Sequence, residues 1–344
     1  MRVTPDEVER PWHQPGVYQV APEVYRIPLP IPEDGLRAVN AYVLEQPNTL
    51  TVIDPGAGVE IARESLEQGL SALGAGFADI DRSLITHVHY DHYTQAVAQR
   101  RRHATPVWLG RSEEASLTVL RDGHRALLGQ VTQLRRYGSP ALSRAASERR
   151  TASPIDDLLR ESPDHWITDG ESIVAGSHEL RALHTPGHTR GHVVFRDVGR
   201  TVLYAGDHVL PTITPSIGFE AAISRLPLAS YLRSLHAVRS LPDTKLLPAH
   251  GAVTPSVHQR IDELLDHHDV RLAAVLDAVR TGASTGFDVA ERLRWTRRER
   301  RLDELDTFNQ MLAVLETGYH LDLLVERSAL VVGVEDQVAH YILP

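Results

Sequence analysis

The chain has 344 residues, 42% hydrophobic and 24% charged, a globular balance with length for about two domains, able to bury roughly three quarters of its unfolded surface. It contains no cysteine, which excludes disulfide scaffolds, thiolate metal sites, Fe–S clusters and cysteine nucleophiles together. A net charge of -9 opposes non-specific binding to nucleic acid, no apolar run approaches the ~18 residues of a membrane span, and Met1 to Pro22 is polar and proline-broken rather than signal-like, so a soluble cytoplasmic protein is expected.

In chain order, Val24–Pro28, Ala38–Leu44 and Leu50–Ile53 read as consecutive strands, the third stopped by Asp54-Pro55-Gly56. Ile61, Ala62, Leu66, Leu70 and Leu73 follow the helical period and Gly74-Ala75-Gly76 ends that helix. A strand at Ser83–Thr86 and a helix at Tyr93–Arg101 come next. Arg111 to Ser162 is helical in composition, and between 121 and 150 it holds seven arginines (121, 125, 135, 136, 144, 149, 150) against Asp122 and Glu148, a local charge of +5. Strands return at Glu179–Leu183, Val193–Phe195, Thr201–Tyr204 and Lys245–Leu247, with a helix at Leu228–Arg239 before the last. From about Pro255 the pattern is helical (Val257–Arg280, Phe287–Leu293, Leu302–Leu324) and closes with two short β-like runs, Ala329–Gly333 and Val338–Ile342. Two domains are expected, 1–255 and 256–344. Of the 36 basic residues only Lys245 is lysine, which reads as coding bias; the 19 histidines are the more informative excess.

Those histidines are not scattered. His87-Val-His89-Tyr-Asp91-His92 places two imidazoles on one face of a strand end, with a carboxylate and a third imidazole at the start of the next helix. Four potential ligands within six residues can converge on a pair of ions. Further polar residues follow predicted strands, in His184-Thr-Pro-Gly-His188-Thr-Arg-Gly-His192, Ala205-Gly206-Asp207-His208 and Pro248-Ala249-His250-Gly251. Loops at strand ends are where a rigid sheet presents ligands. In this order the motifs resemble those of the metallo-β-lactamase-fold hydrolases over roughly residues 20–255. The resemblance implies an α+β, four-layer αββα sandwich with a helical insertion at about 111–165. It also implies that His87, His89 and His188 bind one metal ion, that Asp91, His92 and His250 bind a second, and that Asp207 bridges them. Two divalent ions are expected, zinc first, with manganese and iron as the other candidates. A water held between them becomes hydroxide near neutral pH, and Asp91 is the residue to orient it. His184, His192 and His208 read as supporting groups, His208 being the best-placed general acid should one be needed, and Asp54 as an orienter of a ligand.

The absence of cysteine together with Asp207 disfavours penicillin hydrolysis and is similar to the glyoxalase II and ribonuclease branches. His267-His268 to Arg271, followed by Phe287-Asp-Val-Ala-Glu-Arg-Leu and the terminal β-runs, resembles the lactamase-β-2-like branch with its C-terminal winged-helix-like domain. The expected reaction is hydrolysis of an acyl thioester, because a thiolate leaves without a general acid. The arginine-rich insertion, Arg135 and Arg136 included, is expected to cover the site as a lid and attract an anionic part of the substrate such as coenzyme A or phosphopantetheine. The alternatives are an endoribonuclease, with Arg292, Arg294, Arg297, Arg298, Arg300 and Arg301 around Trp295 tracking a single strand, and a lactonase or carboxylic esterase. The expected partners are a small acyl substrate and a second copy of the chain in a homodimer; nucleic acid is less favoured and a membrane is not expected.

Overall fold

The computed structural model describes residues 3–6, 10–32, 35–122, 127–148 and 154–344. Arg125, Arg149 and Arg150 of the basic segment lie outside the described residues. Eight strands form the first sheet in chain order: β1 (Val3–Pro5), β2 (Val17–Ala21), β3 (Val24–Pro30), β4 (Ala38–Glu45), β5 (Leu50–Ile53), β6 (Ile80–Ile85), β7 (Val107–Gly110) and β8 (His165–Ile167). The second holds β9 (Ser172–Ala175), β10 (His178–His184), β11 (Val193–Asp197), β12 (Val202–Gly206) and β13 (Lys245–Pro248), again in sequential order.

Parallel neighbours need a crossover, and each parallel pair from β5 onward has one. Helix α1 (Glu60–Ala72) joins β5 to β6 and α2 (Tyr90–His103) joins β6 to β7. Between β7 and β8 lie α3 (Glu114–Arg121), α4 (Leu128–Arg136), α5 (Pro140–Glu148) and α6 (Pro154–Leu158), the expected insertion. Helix α7 (Pro227–Arg239) joins β12 to β13.

Side chains alternate across a strand, and this alternation builds the layers. Tyr42, Leu44 and Leu84 from the first sheet meet Leu180, Phe195 and Tyr204 from the second in a buried core between the sheets. The residues one position away face outward: Ala41 and Val43 pack on Leu66 and Leu70 of α1, whereas Val194, Leu203 and Leu246 pack on Leu228 and Leu235 of α7. The result is the expected helix–sheet–sheet–helix sandwich. The chain then continues through α8 (Val257–Arg280), α9 (Gly286–Arg292), α10 (Thr307–Glu326) and a hairpin of β14 (Val331–Glu335) with β15 (Val338–Ile342). Ile261, Val289, Val314, Leu321 and Tyr341 extend the apolar cluster under α7, so burial is continuous across residue 255.

Two expectations about arginines change in this packing. Arg136 is not presented to a substrate: its guanidinium binds both oxygens of Asp322 at 2.9 and 3.0 Å, and the Tyr137 and Tyr341 hydroxyls donate to the same carboxylate at 2.8 and 2.7 Å. A bidentate pair closed by two phenols fixes α4 against α10 and consumes the charge. Arg135 is exposed. Nor is Trp295 a base-stacking platform, because it is buried, donates its indole N–H to the Ala290 carbonyl at 2.9 Å and carries the Arg271 guanidinium 4.0 Å from its ring centroid. Arg292 donates to the Ala278 and Thr281 carbonyls and is tied within the fold, whereas Arg301 makes only an exposed pair with Asp303. No helix among the described residues is long and apolar enough to cross a membrane.

Candidate metal centre

The end of β6 and the start of α2 lie side by side, as the motif requires. His87 and His89 occupy the connecting loop, His89 is the residue before the helix, and Asp91 and His92 sit in its first turn, where the partial positive charge of the helix start favours a carboxylate. His188 comes from the loop between β10 and β11, Asp207 from the end of β12 and His250 from the end of β13. Gly206 makes this convergence sterically feasible: its φ is +50°, and a Cβ there would sit 2.6 Å from His192 Nε2 and 2.7 Å from Thr86.

The seven expected residues form two adjoining groups whose ligand atoms lie within 4.8 Å of one another, His87, His89, His188 and Asp207 in the first and Asp91, His92 and His250 in the second. In the first, His87 Nε2 is 2.9 Å from His89 Nδ1, and His188 Nε2 is 3.1 and 3.0 Å from these two atoms. Asp207 faces both groups at once. Its Oδ2 is 3.4 Å from His188 Nε2, and its Oδ1 is 3.7 Å from His92 Nε2 and 3.4 Å from His250 Nε2. Asp91 Oδ2 completes the second group at 3.6 and 3.4 Å from those two imidazoles.

The outer partners of the rings determine what the inner nitrogens carry. His89 Nε2 donates to the Phe219 carbonyl at 2.6 Å, His188 Nδ1 to the Ser216 carbonyl at 2.6 Å and His250 Nδ1 to the Ala38 carbonyl at 2.7 Å. His92 Nδ1 donates to Asp54 Oδ2 at 2.9 Å. The Thr86 hydroxyl gives its proton to the same Asp54 oxygen at 2.8 Å, so it accepts from His87 Nδ1 at 3.0 Å. In each neutral ring the remaining nitrogen is therefore a bare lone pair. Five lone pairs and two carboxylates converge in a buried space, and His92 Nε2, His250 Nε2 and Asp207 Oδ1 find no hydrogen-bond partner among the described residues. Such an arrangement repels itself unless cations lie within it, and nitrogen with carboxylate oxygen is the donor set for borderline divalent metals.

Protonation follows the same logic. Burial pushes His87, His89 and His188 down, His188 to about 3, leaving the neutral form that ligates. Burial favours the protonated form of Asp91 and Asp207, but the facing His92 and His250 imidazoles outweigh it and hold both carboxyls below their ordinary range. At His92 burial is likewise overcome, by Asp91, Asp54 and Asp207, which push it up to about 10. That demand for positive charge is one a metal cation meets.

The supporting histidines fall where strand geometry sends them. His192 accepts from the Asp207 amide at 3.1 Å through Nε2, and its Nδ1 lies 2.9 Å from the Thr185 hydroxyl. His184 donates to the Arg190 carbonyl at 2.7 Å. His208 belongs to neither ligand group; it packs on Tyr231 and His192, has no hydrogen-bond partner for either nitrogen among the described residues, and is pushed down to about 3 by burial.

Two carboxylates behind the His188 loop had no sequence signal. Glu113 is fully buried and accepts from the Thr189 hydroxyl; Glu220 accepts from the Arg190 amide at 2.9 Å, and Gln130 of α4 holds the Glu220 carbonyl at 2.9 Å. Through Glu220 the insertion steadies the Phe219 carbonyl that orients His89. Burial, then Glu220, raises Glu113 to about 8, and burial raises Glu220 to about 7, both from an ordinary 4.5. The native state thus holds protons that the unfolded chain has lost, and the stability this confers is full below about pH 4.5 and disappears as pH rises through about 7 to 8. We expect the melting-temperature difference between wild type and Glu113→Gln to fall between about pH 5 and pH 8; a difference constant with pH would refute the protonated assignment.

The family model for the metallo-β-lactamase superfamily matches residues 34–250, and all seven residues of the centre lie within the match. The probable metallo-hydrolase YqjP of Bacillus subtilis is 24% identical over 315 residues, covering 89% of this chain and 92% of that protein. The atrochrysone carboxyl ACP thioesterase of Aspergillus fumigatus is 25% identical over 267 residues, covering 77% of this chain and 67% of the thioesterase. Another fungal relative is matched over only 48% of its length. Among solved structures, a metallo-β-lactamase family protein from Thermus thermophilus superposes with a TM-score of 0.78 at 27% identity, covering 95% of this chain and 100% of that one. With the layered fold, the ligand order and the family match all in agreement, this chain belongs to the metallo-β-lactamase superfamily.

Proposed function

We propose that this protein is a binuclear metal-dependent hydrolase of acyl thioesters, acting on substrates whose thiol half carries an anionic group, with zinc as the resident ion. His87, His89 and His188 would hold one ion, Asp91, His92 and His250 the other, and Asp207 both. The chemistry that bound ions supply is acidification of water to a nucleophile at neutral pH and polarisation of a carbonyl. The chain's own contribution is positional. Asp91 stays ionised and can accept a proton from water and orient it, while the carbonyls of Ala38, Ser216 and Phe219 keep the ligand rings from turning.

The observation that carries the thioester reading is the state of the imidazoles. Each ligand ring has its outer proton committed to a fixed acceptor, and His208 is held neutral by burial. With ions on the inner nitrogens, no ligand imidazole would keep a proton free for a leaving group. A thiolate, with a solution pKa of about 8.5, leaves without one, whereas an alkoxide needs a donor. The relative named as an acyl-carrier thioesterase supports the same class. The test is hydrolysis of an acyl-coenzyme A and acyl-pantetheine panel by protein of known metal content, followed with a thiol reagent that a chain without cysteine does not consume. Turnover of thioesters well above that of matching oxygen esters, lost on chelation, is expected. Equal turnover of both would remove the leaving-group argument and favour a general esterase.

A further inference from the structure

Beside the His188 loop lies an open cleft of about 670 Å³ whose rim carries three guanidinium groups from three separate parts of the chain. Arg111 follows β7, Arg190 stands two residues after His188, and Arg225 precedes α7. Ser112 and Ser224 add hydroxyls, and Glu114 is the one acidic side chain in the lining. The volume is that of a site for a substantial ligand fragment rather than for a single water.

These three arginines are largely uncommitted within the chain. Arg111 is exposed and its side chain makes no hydrogen bond or ion pair with any described residue. The Arg190 guanidinium approaches Glu220 only through Nε, at 3.6 Å, beyond hydrogen-bond range. Arg225 has a single contact, to Glu326 at 3.3 Å, with both side chains more than half exposed, a pairing worth little in water. Arg136 by contrast is fully committed to Asp322. The cleft therefore gathers guanidinium groups from three parts of the chain that are directed outward and still available, Arg111 at the insertion's first residue among them.

Its position ties it to the metal centre. Arg190 and His188 share one loop, their Cα atoms at most about 7.6 Å apart, and that loop is clamped to the opposite wall of the cleft: Thr189 donates to Glu113, and Gly191 packs so closely on Glu113 that a Cβ would fall 2.2 Å from its amide nitrogen. A group seated among the arginines is thereby registered against a metal ligand. A carboxylate has two oxygens and is saturated by one bidentate fork, whereas a phosphate or phosphodiester offers acceptors in several directions and suits three forks arriving from different elements.

We propose that the cleft between Arg111, Arg190 and Arg225 is the binding site for a phosphate group on the thiol half of the substrate. This deepens the thioesterase reading and rests on it for the identity of the rest of the substrate, although the cleft itself can be probed without turnover. A pantetheine phosphate supplies this chemistry from either of two sources, free coenzyme A or the prosthetic arm of an acyl carrier protein.

The probes are S-methyl 4′-phosphopantetheine and S-methyl pantetheine, which carry no thiol and no hydrolysable bond and differ only in the phosphate. Binding of each to metal-loaded wild type and to the double variant Arg111→Gln, Arg225→Gln is measured by calorimetry; Arg190 is left in place because its side chain also lies against the buried Glu220 carboxylate. Wild type should bind the phosphorylated probe more tightly, and the double variant should lose about 10- to 100-fold of that preference. No binding of the phosphorylated probe, equal binding of the two probes by wild type, or an equal loss for both in the variant would overturn the proposal. Turnover then separates the two readings. A phosphate preference without thioester hydrolysis leaves the cleft and refutes the reaction, while hydrolysis without a phosphate preference does the reverse. A rise in KM at nearly constant kcat in the double variant, seen with acyl-coenzyme A, assigns the phosphate to the free coenzyme; the same rise confined to an acyl carrier protein assigns it to the prosthetic arm.

Discussion

Asp207→Asn is expected to lower metal content from two ions to one or fewer and to reduce hydrolysis by at least about 10³-fold, more than the roughly 10- to 100-fold that loss of an outer hydrogen-bond partner costs. Asp207 is the one side chain shared by both ligand groups, with Oδ2 toward His188 and Oδ1 toward His92 and His250. An asparagine of the same shape keeps the backbone amide that donates to His192. It replaces one of two acceptor oxygens by an NH₂ group that brings protons toward imidazole lone pairs. It also removes a negative charge that would offset two cations in a buried space, so the penalty would fall on binding of both ions rather than on one. Metal analysis by mass spectrometry beside steady-state kinetics checks the prediction. A variant retaining two ions and more than about a tenth of wild-type activity would show that the carboxylate does not bridge.

How much of this centre the sequence discloses depends on whether a role belongs to a side chain or to the backbone. His87, His89, Asp91, His92, His188, Asp207 and His250 are legible because few residue types ligate metals and because they cluster at the ends of regular elements and in the loop between β10 and β11. The carbonyls of Ala38, Ser216 and Phe219 fix three of the same rings, yet a carbonyl is present at every residue and leaves no trace in composition. Glu113 and Glu220 are hidden for a related reason, since an isolated glutamate, one before a helix and one in a loop, reads as a solvated group. The readings of Arg136 and Trp295 changed through distance along the chain: the partner that occupies Arg136 is Asp322, and the residue covering Trp295 is Arg271. His208 was read from its neighbour Asp207, but its ring packs on Tyr231 while Asp207 faces the ligands.

The strands show the same division. Buried runs such as Ala38–Leu44 stand out by composition, whereas β1, β2, β7, β8 and β9 are three to five residues long and acquire their identity from pairing alone. The helix expected to begin at Leu302 starts instead at Thr307, because the Asp306 side chain accepts from the Asn309 amide and caps it, leaving Leu302–Glu304 as a separate short turn.

The second large effect is expected at Asp54, which belongs to neither ligand group and yet governs one ring in each. Its Oδ1 accepts from the Thr86 amide at 2.8 Å, and its Oδ2 accepts from both the Thr86 hydroxyl and His92 Nδ1. In Asp54→Asn the carbonyl oxygen can retain the Thr86 amide, which places the NH₂ where Oδ2 was. A donor there reverses the chain of protons. His92 Nδ1 must accept and so carries its hydrogen on Nε2; Thr86 must accept and turns its hydroxyl proton onto His87 Nδ1, which moves the hydrogen of His87 to Nε2 as well. Both inner lone pairs are then lost by a change of one atom, in a residue whose φ of +50° asparagine adopts readily. We expect Asp54→Asn to weaken metal binding by about 100-fold or more, the upper end for an outer partner because two ligands change together, with the metal-free melting temperature close to that of wild type. Asp54→Ala, which removes the acceptor without supplying a donor, should weaken binding by less. Competition titration against a chromophoric chelator ranks the three proteins, and an asparagine variant that binds metal as tightly as wild type, or more tightly than the alanine variant, would show that the tautomers are not set through Asp54.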